Sequence, residues 1–272
     1  MTLTVRQALA QSGLVPVDAR VLLAHVLGCN RAWLAVHEAD PLPPIDAEAF
    51  LALAGRRRNG EPVAYLTGTR EFWGLLLAVT PDVLIPRPET EALVEFALAK
   101  LPRDRAVRVL DLGTGSGAIA LALAHDRPQS SIVATDRSDA ALGVARDNAH
   151  RLGFPNVSFV SADWYAGVPA GPWDLIASNP PYVGATDPHL QEGDLRFEPV
   201  AALSPGVDGH SALRIIVGGA RERLSQGGWL VVEHGYDQSN AVQALFREGG
   251  FSNVVVTRDL AGIPRVVAAQ SG

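Results

Sequence analysis

The chain has 272 residues, of which 47% are hydrophobic and 19% are charged, and its formal net charge is −6. This length allows one large or two unequal domains with a large core, so a disulfide-stapled miniprotein and a disordered chain are both excluded. A chain with a net negative charge does not attract a polyanion through its overall charge, which argues against sequence-independent binding of nucleic acid.

Cysteine and histidine usage limits the redox and metal chemistry. Cys29 is the only cysteine, so an intramolecular disulfide and a cysteine-held metal centre are both excluded. The histidines are scattered without the spacing of metal ligands, and we predict no metal site. The first residues lack a leader pattern, and no apolar run is long enough to cross a membrane. We therefore expect an untargeted, cytoplasmic protein with no membrane association.

The N-terminal part of the chain is patterned for short helices. Apolar residues recur at helical spacing in Val15–Leu27 and again in Phe50–Ala54. The proline-rich segment Pro41–Pro44 separates the two. We therefore predict a small helical domain over residues 1–70.

The pattern changes after Gly68. The runs Phe72–Val79 and Pro81–Ile85 are apolar and short, and they are typical of two strands around a turn. We therefore predict a β-hairpin connector over residues 71–90, between the helical domain and the rest of the chain.

From Arg105 onward, apolar β-rich runs alternate with helical stretches. This rhythm is typical of βαβ units and a parallel sheet. The last two runs are too close for a crossover helix, so we expect them to pair antiparallel. The runs are Val107–Leu110, Ile132–Ala134, Val157–Val160, Leu175–Ala177, Trp229–Val232, Val254–Thr257 and Val266–Ala268.

A glycine-rich segment, Asp111–Ala118, follows the first of these runs. Its glycines allow a ligand to approach the backbone at a helix N-terminus. Gly113, Gly115 and Ala118 fit the dinucleotide pattern G-x-G-x-x-G/A. Gly113, Gly115 and Gly117 equally fit the G-x-G-x-G loop of S-adenosylmethionine-dependent methyltransferases, so the loop alone leaves both cofactors open.

Acidic side chains follow the next two runs, and parallel strands bring such positions to one edge of the sheet. Asp136 lies about 20 residues after the glycine loop, where a carboxylate can accept hydrogen bonds from the ribose hydroxyls of either cofactor. Asp163 can bind an adenine amino group, and the indole of Trp164 can cover the ring. The structural alternatives are a helix-capping aspartate and a core tryptophan.

The fourth run ends in the most specific segment, Asn179-Pro180-Pro181-Tyr182. The two prolines fix φ and make a stiff loop directly after a strand. Because the lone pair of a planar NH2 group is delocalised, a transferase must align this group and stabilise its developing positive charge. The side-chain oxygen of Asn179 and the carbonyl of Pro180 can each accept one N–H, and Tyr182 can wall the planar group.

The glycine loop and Asn179–Tyr182 together resemble the class I amino-methyltransferases, which include adenine-N6 DNA enzymes and glutamine-N(5) protein enzymes. Two further segments, Glu61–Gly68 and Leu84–Glu91, resemble signatures of the peptide chain release factor N(5)-glutamine methyltransferase family. Three downstream segments are also similar to that family: Asp187–Leu190, Arg196–Pro199 and Glu233–Gly235.

This resemblance implies a class I Rossmann-like methyltransferase domain over residues 91–272. The implied sheet is seven-stranded and mixed, with the last strand antiparallel, and the small helical domain precedes it. In that family, S-adenosylmethionine methylates the glutamine of the Gly-Gly-Gln motif in class I peptide chain release factors. The resemblance thus implies a release-factor partner recognised by the helical domain, no direct nucleic-acid partner, and we expect a monomer.

The resemblance also assigns roles to residues. The glutamine side chain would be held by Asn179, Pro180, Pro181 and Tyr182, of which Asn179, Pro180 and Tyr182 are the predicted catalytic residues. The predicted cofactor-binding residues are Asp111, Gly113, Thr114, Gly115, Ser116, Gly117, Asp136, Asp163, Trp164 and Asn179.

Two charged segments have structural alternatives to a functional role. Arg87 and Glu89 are candidates for a cofactor or partner contact or, equally, for an interdomain salt bridge. The run Arg56–Arg58 is better interpreted as a solvated helix face than as a partner contact.

Other functions compete with this hypothesis. Adenine-N6 methylation of DNA or RNA poses the same positioning problem, but it needs a basic groove and a target-reading domain that this chain does not display. Methylation of a ribosomal-protein glutamine fits the same loop. An NAD-dependent dehydrogenase explains the glycines and Asp136 but leaves Asn179–Tyr182 unexplained, and a cofactor-sensing binding module would make no product.

Overall fold

The computed structural model describes residues 3–272, and the chain divides into two units. The first unit ends at Thr69 and includes the later segment Glu192–Phe197, whereas the second holds Arg70–Gln191 and Glu198–Gly272. Each unit has a hydrophobic core of its own. Among the described residues, no helix has the length and apolar character that a membrane crossing requires.

The first unit is a bundle of short helices, as the apolar spacing predicts. Its core includes Leu22, Leu23 and Phe50, which are fully buried. The first helix begins with a capping box, in which Thr4 and Gln7 each accept a hydrogen bond from the other's backbone N–H. The helices are α1 (Val5–Gln11), α2 (Pro16–Leu27), α3 (Arg31–Val36), α4 (Pro44–Arg58) and α5 (Val63–Thr67).

The three arginines at the end of α4 are engaged within this unit. The guanidinium of Arg57 lies 2.8 Å from the carboxylate of Asp18 and 2.7 Å from that of Asp194, which lies in the segment Glu192–Phe197. Arg57 therefore ties that segment to α2 and α4. The other two contacts join Arg56 to Glu61 and Arg58 to the backbone carbonyl of Ser12.

A β-hairpin follows the helical bundle. Its strands are β1 (Thr69–Phe72) and β2 (Leu75–Ala78), so it lies earlier than the sequence pattern predicts. The turn residues Trp73 and Gly74 have φ of 53° and 72°. Two successive positive φ values give the tight turn whose twist matches paired strands, and this turn interrupts the run that was predicted as one strand.

The predicted second strand over Pro81–Ile85 is wrong, because this segment is irregular. Val83 and Ile85 are buried, which explains their apolar character. The backbone N–H of Ile85 donates to the carboxylate of Glu198 at 3.0 Å and not to a neighbouring strand. A side chain more than 100 residues away in sequence thus satisfies a backbone group that a strand would otherwise pair.

The second unit is built on a seven-stranded mixed sheet. Its strands are β3 (Arg108–Leu112), β4 (Ser131–Asp136), β5 (Val157–Ser161), β6 (Trp173–Ser178), β7 (Leu224–Glu233), β8 (Ser252–Arg258) and β9 (Pro264–Gln270). Their order is β5-β4-β3-β6-β7-β9-β8. Strands β3 to β7 pair in parallel, and β9 runs antiparallel to both of its neighbours. The predicted sheet and its antiparallel last strand are therefore confirmed.

Helices cover both faces of this sheet. Residues of α6, α7 and α8, among them Leu93, Leu121 and Ala149, pack on one face, and Ile216 of α10 and Phe246 of α11 pack on the other. The helices are α6 (Glu91–Lys100), α7 (Ala118–Asp126), α8 (Asp139–Leu152), α9 (Val200–Leu203), α10 (Ser211–Ala220) and α11 (Ser239–Glu248).

The strand order changes direction at β3. From there the chain adds β4 and β5 on one side and β6 and β7 on the other. In open α/β sheets, the carboxyl ends of the strands at such a reversal leave a crevice where ligands bind. The fold therefore places the loops after β3, β4 and β6 together at one edge.

Candidate active site

The loop after β3 is shaped by three glycines in the left-handed conformation, with φ of 72° at Gly113, 56° at Gly115 and 88° at Gly117. The backbone N–H of Gly113 donates to the carbonyl of Thr135 at 2.9 Å, which ties the loop to β4. A Cβ at Gly117 would lie 3.1 Å from a methyl carbon of Leu121. Only glycine therefore combines this backbone turn with the close start of α7.

Asp111 lies beneath the loop and is fully buried. Its Oδ2 accepts a hydrogen bond from the hydroxyl of Thr114 at 2.6 Å, whereas Oδ1 is buried with no hydrogen-bond partner among the described residues. Burial raises the pKa of Asp111 to about 7. The structure thus places Asp111 as a support of the loop and not on the wall of the adjacent cavity.

Asp136 ends β4 and faces the cavity. Its two carboxylate oxygens accept backbone N–H groups from Gly115 at 3.0 Å and from Ser138 at 2.9 Å. Each oxygen keeps a further lone pair. The carboxylate is therefore held in place by the backbone and still able to accept the hydroxyls of a ribose.

Asp163 and Trp164 follow β5 in a tight turn, in which Asp163 and Ala166 exchange backbone hydrogen bonds of 3.1 and 2.9 Å. Trp164 has a φ of 50°, so the turn holds it in the left-handed region. Its ring lies 3.7 Å from the position that a Cβ on Gly113 would take. The indole therefore closes one side of the cavity against the glycine loop, and it packs against the sheet core as well.

The loop after β6 is held by side chains from other segments. The side-chain Nδ2 of Asn179 donates to the hydroxyl of Thr90 at 3.1 Å. The hydroxyl of Tyr182 donates to Oε1 of Glu233 at 3.2 Å, and the Nε2 of Gln238 donates to the carbonyl of Tyr182 at 2.9 Å. Burial is the main cause that raises the pKa of Tyr182, so its ring stays neutral.

These groups surround one cavity of about 450 Å³ in the second unit. A volume of this size suits a nucleoside-sized ligand. Asp111, Gly117, Pro180 and Tyr182 do not line this cavity, and of these Tyr182 is half-buried. The predicted residues on the wall are Gly113, Thr114, Gly115, Ser116, Asp136, Asp163, Trp164, Asn179 and Pro181.

The wall also contains residues that the sequence reasoning did not single out. Thr90 lies within the signature segment Leu84–Glu91, so a signal for it existed, although its role was not apparent. Ser211 and Ile215 come from α10, which carries no motif. These residues could be found only from the packing of the helix against the sheet edge.

Arg87 forms an ion pair with Glu198, which is 3% exposed and also accepts the N–H of Ile85. Both residues belong to the second unit, so the alternative of an interdomain salt bridge is wrong. Arg87 also lines the cavity. The pair therefore fixes the wall formed by the segment before α6.

The residues present fit S-adenosylmethionine. At Gly115 the space where a Cβ would stand is open, so a ligand can reach the backbone of the loop. Asp136 and Asp163 offer carboxylates for ribose hydroxyls and an adenine amino group, and Trp164 offers a flat apolar surface. A seven-stranded sheet with this glycine loop, and with Asn179–Tyr182 after β6, defines a class I Rossmann-like methyltransferase.

Comparison with known proteins agrees with this class and specifies the family. A family model described as PrmC N-terminal domain matches residues 4–68, and one described as Methyltransferase small domain matches residues 90–192. A release factor glutamine methyltransferase from Bordetella pertussis is 54% identical over 98% of this chain and 98% of its own length. One from Escherichia coli is 45% identical over 92% of this chain and 90% of its own length.

The chain belongs to the release factor glutamine methyltransferase family. Its methyl donor is accordingly S-adenosylmethionine. Among solved structures, a methyltransferase from Pyrococcus furiosus superposes with a TM-score of 0.55 at 19% identity, covering 80% of this chain and 97% of that one. That similarity supports the fold.

Proposed function

We propose that this protein transfers the methyl group of S-adenosylmethionine to the side-chain amide nitrogen of the glutamine in the Gly-Gly-Gln motif of class I peptide chain release factors. The observation that carries this proposal is the orientation of Asn179. Its NH2 group is bonded to Thr90, which leaves Oδ1 as the free polar end of a side chain on the cavity wall. An acceptor at this place suits an incoming NH2 group.

The site must compensate for the weak nucleophilicity of an amide nitrogen. Its lone pair is delocalised into the carbonyl group, so it is a poor nucleophile unless it is aligned and its developing positive charge is stabilised. Oδ1 of Asn179, on the cavity wall, accepts one N–H of the glutamine. We assign the second N–H to the carbonyl of Pro180 and the contact with the planar amide to the ring of Tyr182, because both residues continue the same loop at the edge of this cavity. These contacts fix the nitrogen in line with the methyl group.

Methyl transfer then proceeds in one displacement. S-adenosylmethionine supplies an electrophilic methyl group bonded to a positively charged sulfur. The glutamine nitrogen forms a bond to the methyl carbon as the carbon–sulfur bond breaks, and the nitrogen loses one proton to water. The cationic nitrogen is strongly acidic, so no strong base is required. This agrees with His234, whose pKa is lowered by burial and which supplies no basic group to the cavity.

Residues on the other side of the cavity bind different parts of the cofactor. Asp136 accepts the ribose hydroxyls, Asp163 accepts the adenine amino group and Trp164 covers the ring. Thr114 and Ser116 take part as backbone of the glycine loop. Asp111 and Gly117 act from behind the wall by fixing the loop conformation.

The helical domain recognises the release factor, and the methyltransferase domain performs the chemistry. We assign residues 1–70 to recognition, residues 71–90 to the connector and residues 91–272 to catalysis. The net charge of −6 supports a protein partner and no direct contact with nucleic acid. The enzyme acts as a monomer in the cytoplasm, where its substrates are made.

A three-substrate assay tests the proposal. The purified protein is incubated with S-adenosylmethionine labelled in the methyl group and with an intact release factor, the same factor with the Gly-Gly-Gln glutamine changed to alanine, or plasmid DNA. We expect label on the intact factor alone, located by mass spectrometry to that glutamine.

Label on DNA would replace the proposal by adenine methylation. Label on both forms of the factor would place the reaction at another residue. Label on none of the three, with cofactor binding retained, would redirect the search to a ribosomal-protein glutamine, so isothermal titration with S-adenosylmethionine and with NAD accompanies the assay.

A further inference from the structure

Asn148 is a buried amide that the reaction described above does not use. It lies on α8, it is fully buried and it does not line the cavity. A buried polar side chain is costly unless its groups are hydrogen-bonded, so its partners indicate why it is there. Those partners belong to two segments that form the cavity, the glycine loop and the β-hairpin.

Every hydrogen-bonding group of this amide is used. Its Oδ1 accepts the backbone N–H of Ala78 at 2.7 Å and the guanidinium of Arg151 at 3.0 Å. Its Nδ2 donates to the carbonyl of Ala78 at 3.0 Å and to the carbonyl of Ser116 at 3.0 Å. Because carbonyl groups can only accept and N–H groups can only donate, these four bonds allow a single orientation of the amide.

Toward the hairpin, Asn148 takes the place of a neighbouring strand. In the described part of the chain the hairpin is a sheet of two strands, so one edge of β2 has no strand beside it. Asn148 binds both the N–H and the C=O of Ala78, the last residue of β2, as a residue of a paired strand would. The hairpin carries Phe72 on the cavity wall and leads into Asp82–Leu84, which also line it. Asn148 therefore holds the point from which this wall continues.

Toward the glycine loop, Asn148 fixes one peptide group. The carbonyl of Ser116 accepts from Asn148. The N–H of Gly117, which belongs to the same peptide group, donates to the carbonyl of Thr114 at 2.9 Å. A planar peptide group that is bonded at both its C=O and its N–H is held against rotation. The part of the loop that lines the cavity at Thr114 and Ser116 therefore keeps one conformation.

We infer that Asn148 is a positioning residue for S-adenosylmethionine, because one buried amide holds the glycine loop and the hairpin-side wall in place relative to each other before the cofactor binds. This inference rests on the proposed place of the cofactor beside the glycine loop, and not on the residues assigned to the glutamine. A site that already has its bound conformation loses less freedom on binding, which raises affinity. Without this amide, the peptide group after Ser116 can rotate and the two walls can shift, so the cofactor must order them as it binds.

The test compares Asn148→Asp with the wild-type protein in the dissociation constant of S-adenosylmethionine, measured by isothermal titration at pH 8. Aspartate has the shape of asparagine, but its ionised carboxylate donates no hydrogen bond, so the carbonyls of Ala78 and Ser116 lose their donor. The dissociation constant should rise by about tenfold. At saturating S-adenosylmethionine, kcat and the KM of the release factor should stay within about threefold, because Asn148 is bonded to none of the residues assigned to the glutamine.

Arg151→Met is the matched control. It changes the net charge by the same amount as Asn148→Asp, and it removes the hydrogen bonds that Arg151 donates to Asn148 and to the carbonyl of Leu76 in the hairpin. The bond from Asn148 to the carbonyl of Ser116 remains. The dissociation constant of S-adenosylmethionine should therefore stay within about twofold of the wild-type value.

A second variant and a measurement on the wild-type protein decide the matter if Asn148→Asp does not fold. Asn148→Ser adds no charge, and its single hydroxyl proton can serve only one of the two carbonyls, so the dissociation constant should again rise by about fivefold or more. In the wild-type protein, S-adenosylmethionine should slow hydrogen exchange at the N–H of Ala78 by about tenfold. The N–H of Gly74, which bonds to the side chain of Glu71, should change by less than about twofold.

A wild-type dissociation constant in either folded Asn148 variant would overturn the inference, even if the free energy of unfolding were lower, because that result defines a structural role alone. Equal losses of affinity in Asn148→Asp and Arg151→Met would also overturn it, as would unchanged exchange at Ala78 when the cofactor binds. A failure of the proposed function is a separate outcome. It would be seen as no methylation of the release factor by the wild-type protein, or as an unchanged dissociation constant of S-adenosylmethionine in Asp136→Ala.

Discussion

The cavity has a cofactor end, lined by the glycine loop, Asp136, Asp163 and Trp164, and an acceptor end, lined by Thr90 and Asn179. The two ends are held in place by different means. At the cofactor end, Asp136 is bonded to backbone N–H groups of Gly115 and Ser138, and the glycine loop is tied to β4 by a backbone hydrogen bond. At the acceptor end, Asn179 and Tyr182 are oriented by the side chains of Thr90 and Glu233. Hydrogen bonds to the backbone position one end, and hydrogen bonds between side chains position the other.

This difference determines how each end responds to change. A backbone hydrogen bond survives substitution of its own side chain, so the cofactor end depends on conformation and on a few carboxylates. A hydrogen bond between two side chains is lost when either partner is replaced, so the acceptor end depends on the identity of both members of each pair. We expect cofactor affinity and turnover to respond to separate sets of residues.

The largest effects should come from Asn179→Ala and Asp136→Ala, which separate the two ends. Asn179→Ala removes an acceptor of the developing charge and should lower kcat by about 100- to 1000-fold with the fold intact. Asp136→Ala should weaken S-adenosylmethionine binding by about 10- to 100-fold, because it removes charge-assisted hydrogen bonds. Steady-state kinetics and isothermal titration measure the two.

Asp139→Ala is the matched control, because this acid is exposed and stands outside the cavity wall. This substitution should change neither kcat nor the affinity for S-adenosylmethionine. Wild-type turnover in Asn179→Ala would contradict the assigned role, and a larger loss of cofactor affinity in Asn179→Ala than in Asp136→Ala would remove the distinction between the two ends.

The same difference explains what the sequence could predict. Asp136 ends β4, and Asp163 and Trp164 follow the end of β5. Because the fold brings these strand ends together, the cavity wall there could be predicted from the order of the residues along the chain. The strands themselves follow from their apolar runs. The hydrogen bonds from Asn179 to Thr90 and from Tyr182 to Glu233 join residues far apart in sequence, and no local pattern predicts these pairs.

The error in the connector has a similar cause. Pro81–Ile85 is apolar because Val83 and Ile85 are buried, but a strand also needs a partner for its backbone. Here Glu198 supplies that partner for Ile85 from a distant loop. The spacing of apolar residues indicates which side chains are buried. It does not indicate which groups form hydrogen bonds with the backbone.

The cofactor end depends on the backbone conformation of the glycine loop. A single methyl group added to this loop should therefore lower the stability of the protein. Gly117→Ala places a Cβ at a φ of 88° and 3.1 Å from Leu121, so we expect a loss of about 2 kcal/mol in the free energy of unfolding. Urea unfolding measures it. Gly143→Ala is the control, since that helical glycine has open space at its Cβ and should gain up to about 1 kcal/mol. Equal stability of the two variants would show that the loop is not conformationally constrained.

The smallest expected effect is on the pH dependence of the free energy of unfolding. Each end of the cavity is supported by one fully buried carboxyl group, Asp111 at the cofactor end and Glu233 at the acceptor end. Burial raises the pKa of both Asp111 and Glu233 to about 7, well above the ordinary range of a carboxyl group. The unfolded chain releases these protons at lower pH than the folded protein, so stability declines as the pH rises from about 4 to about 7, with the remainder lost just above. Between pH 6 and pH 8 each group should cost about 1 kcal/mol, read as a lower urea midpoint. Asp111→Asn and Glu233→Gln should each remove part of this slope, and a wild-type midpoint that stays constant or increases over this range would show that neither carboxyl group is neutral in the folded protein.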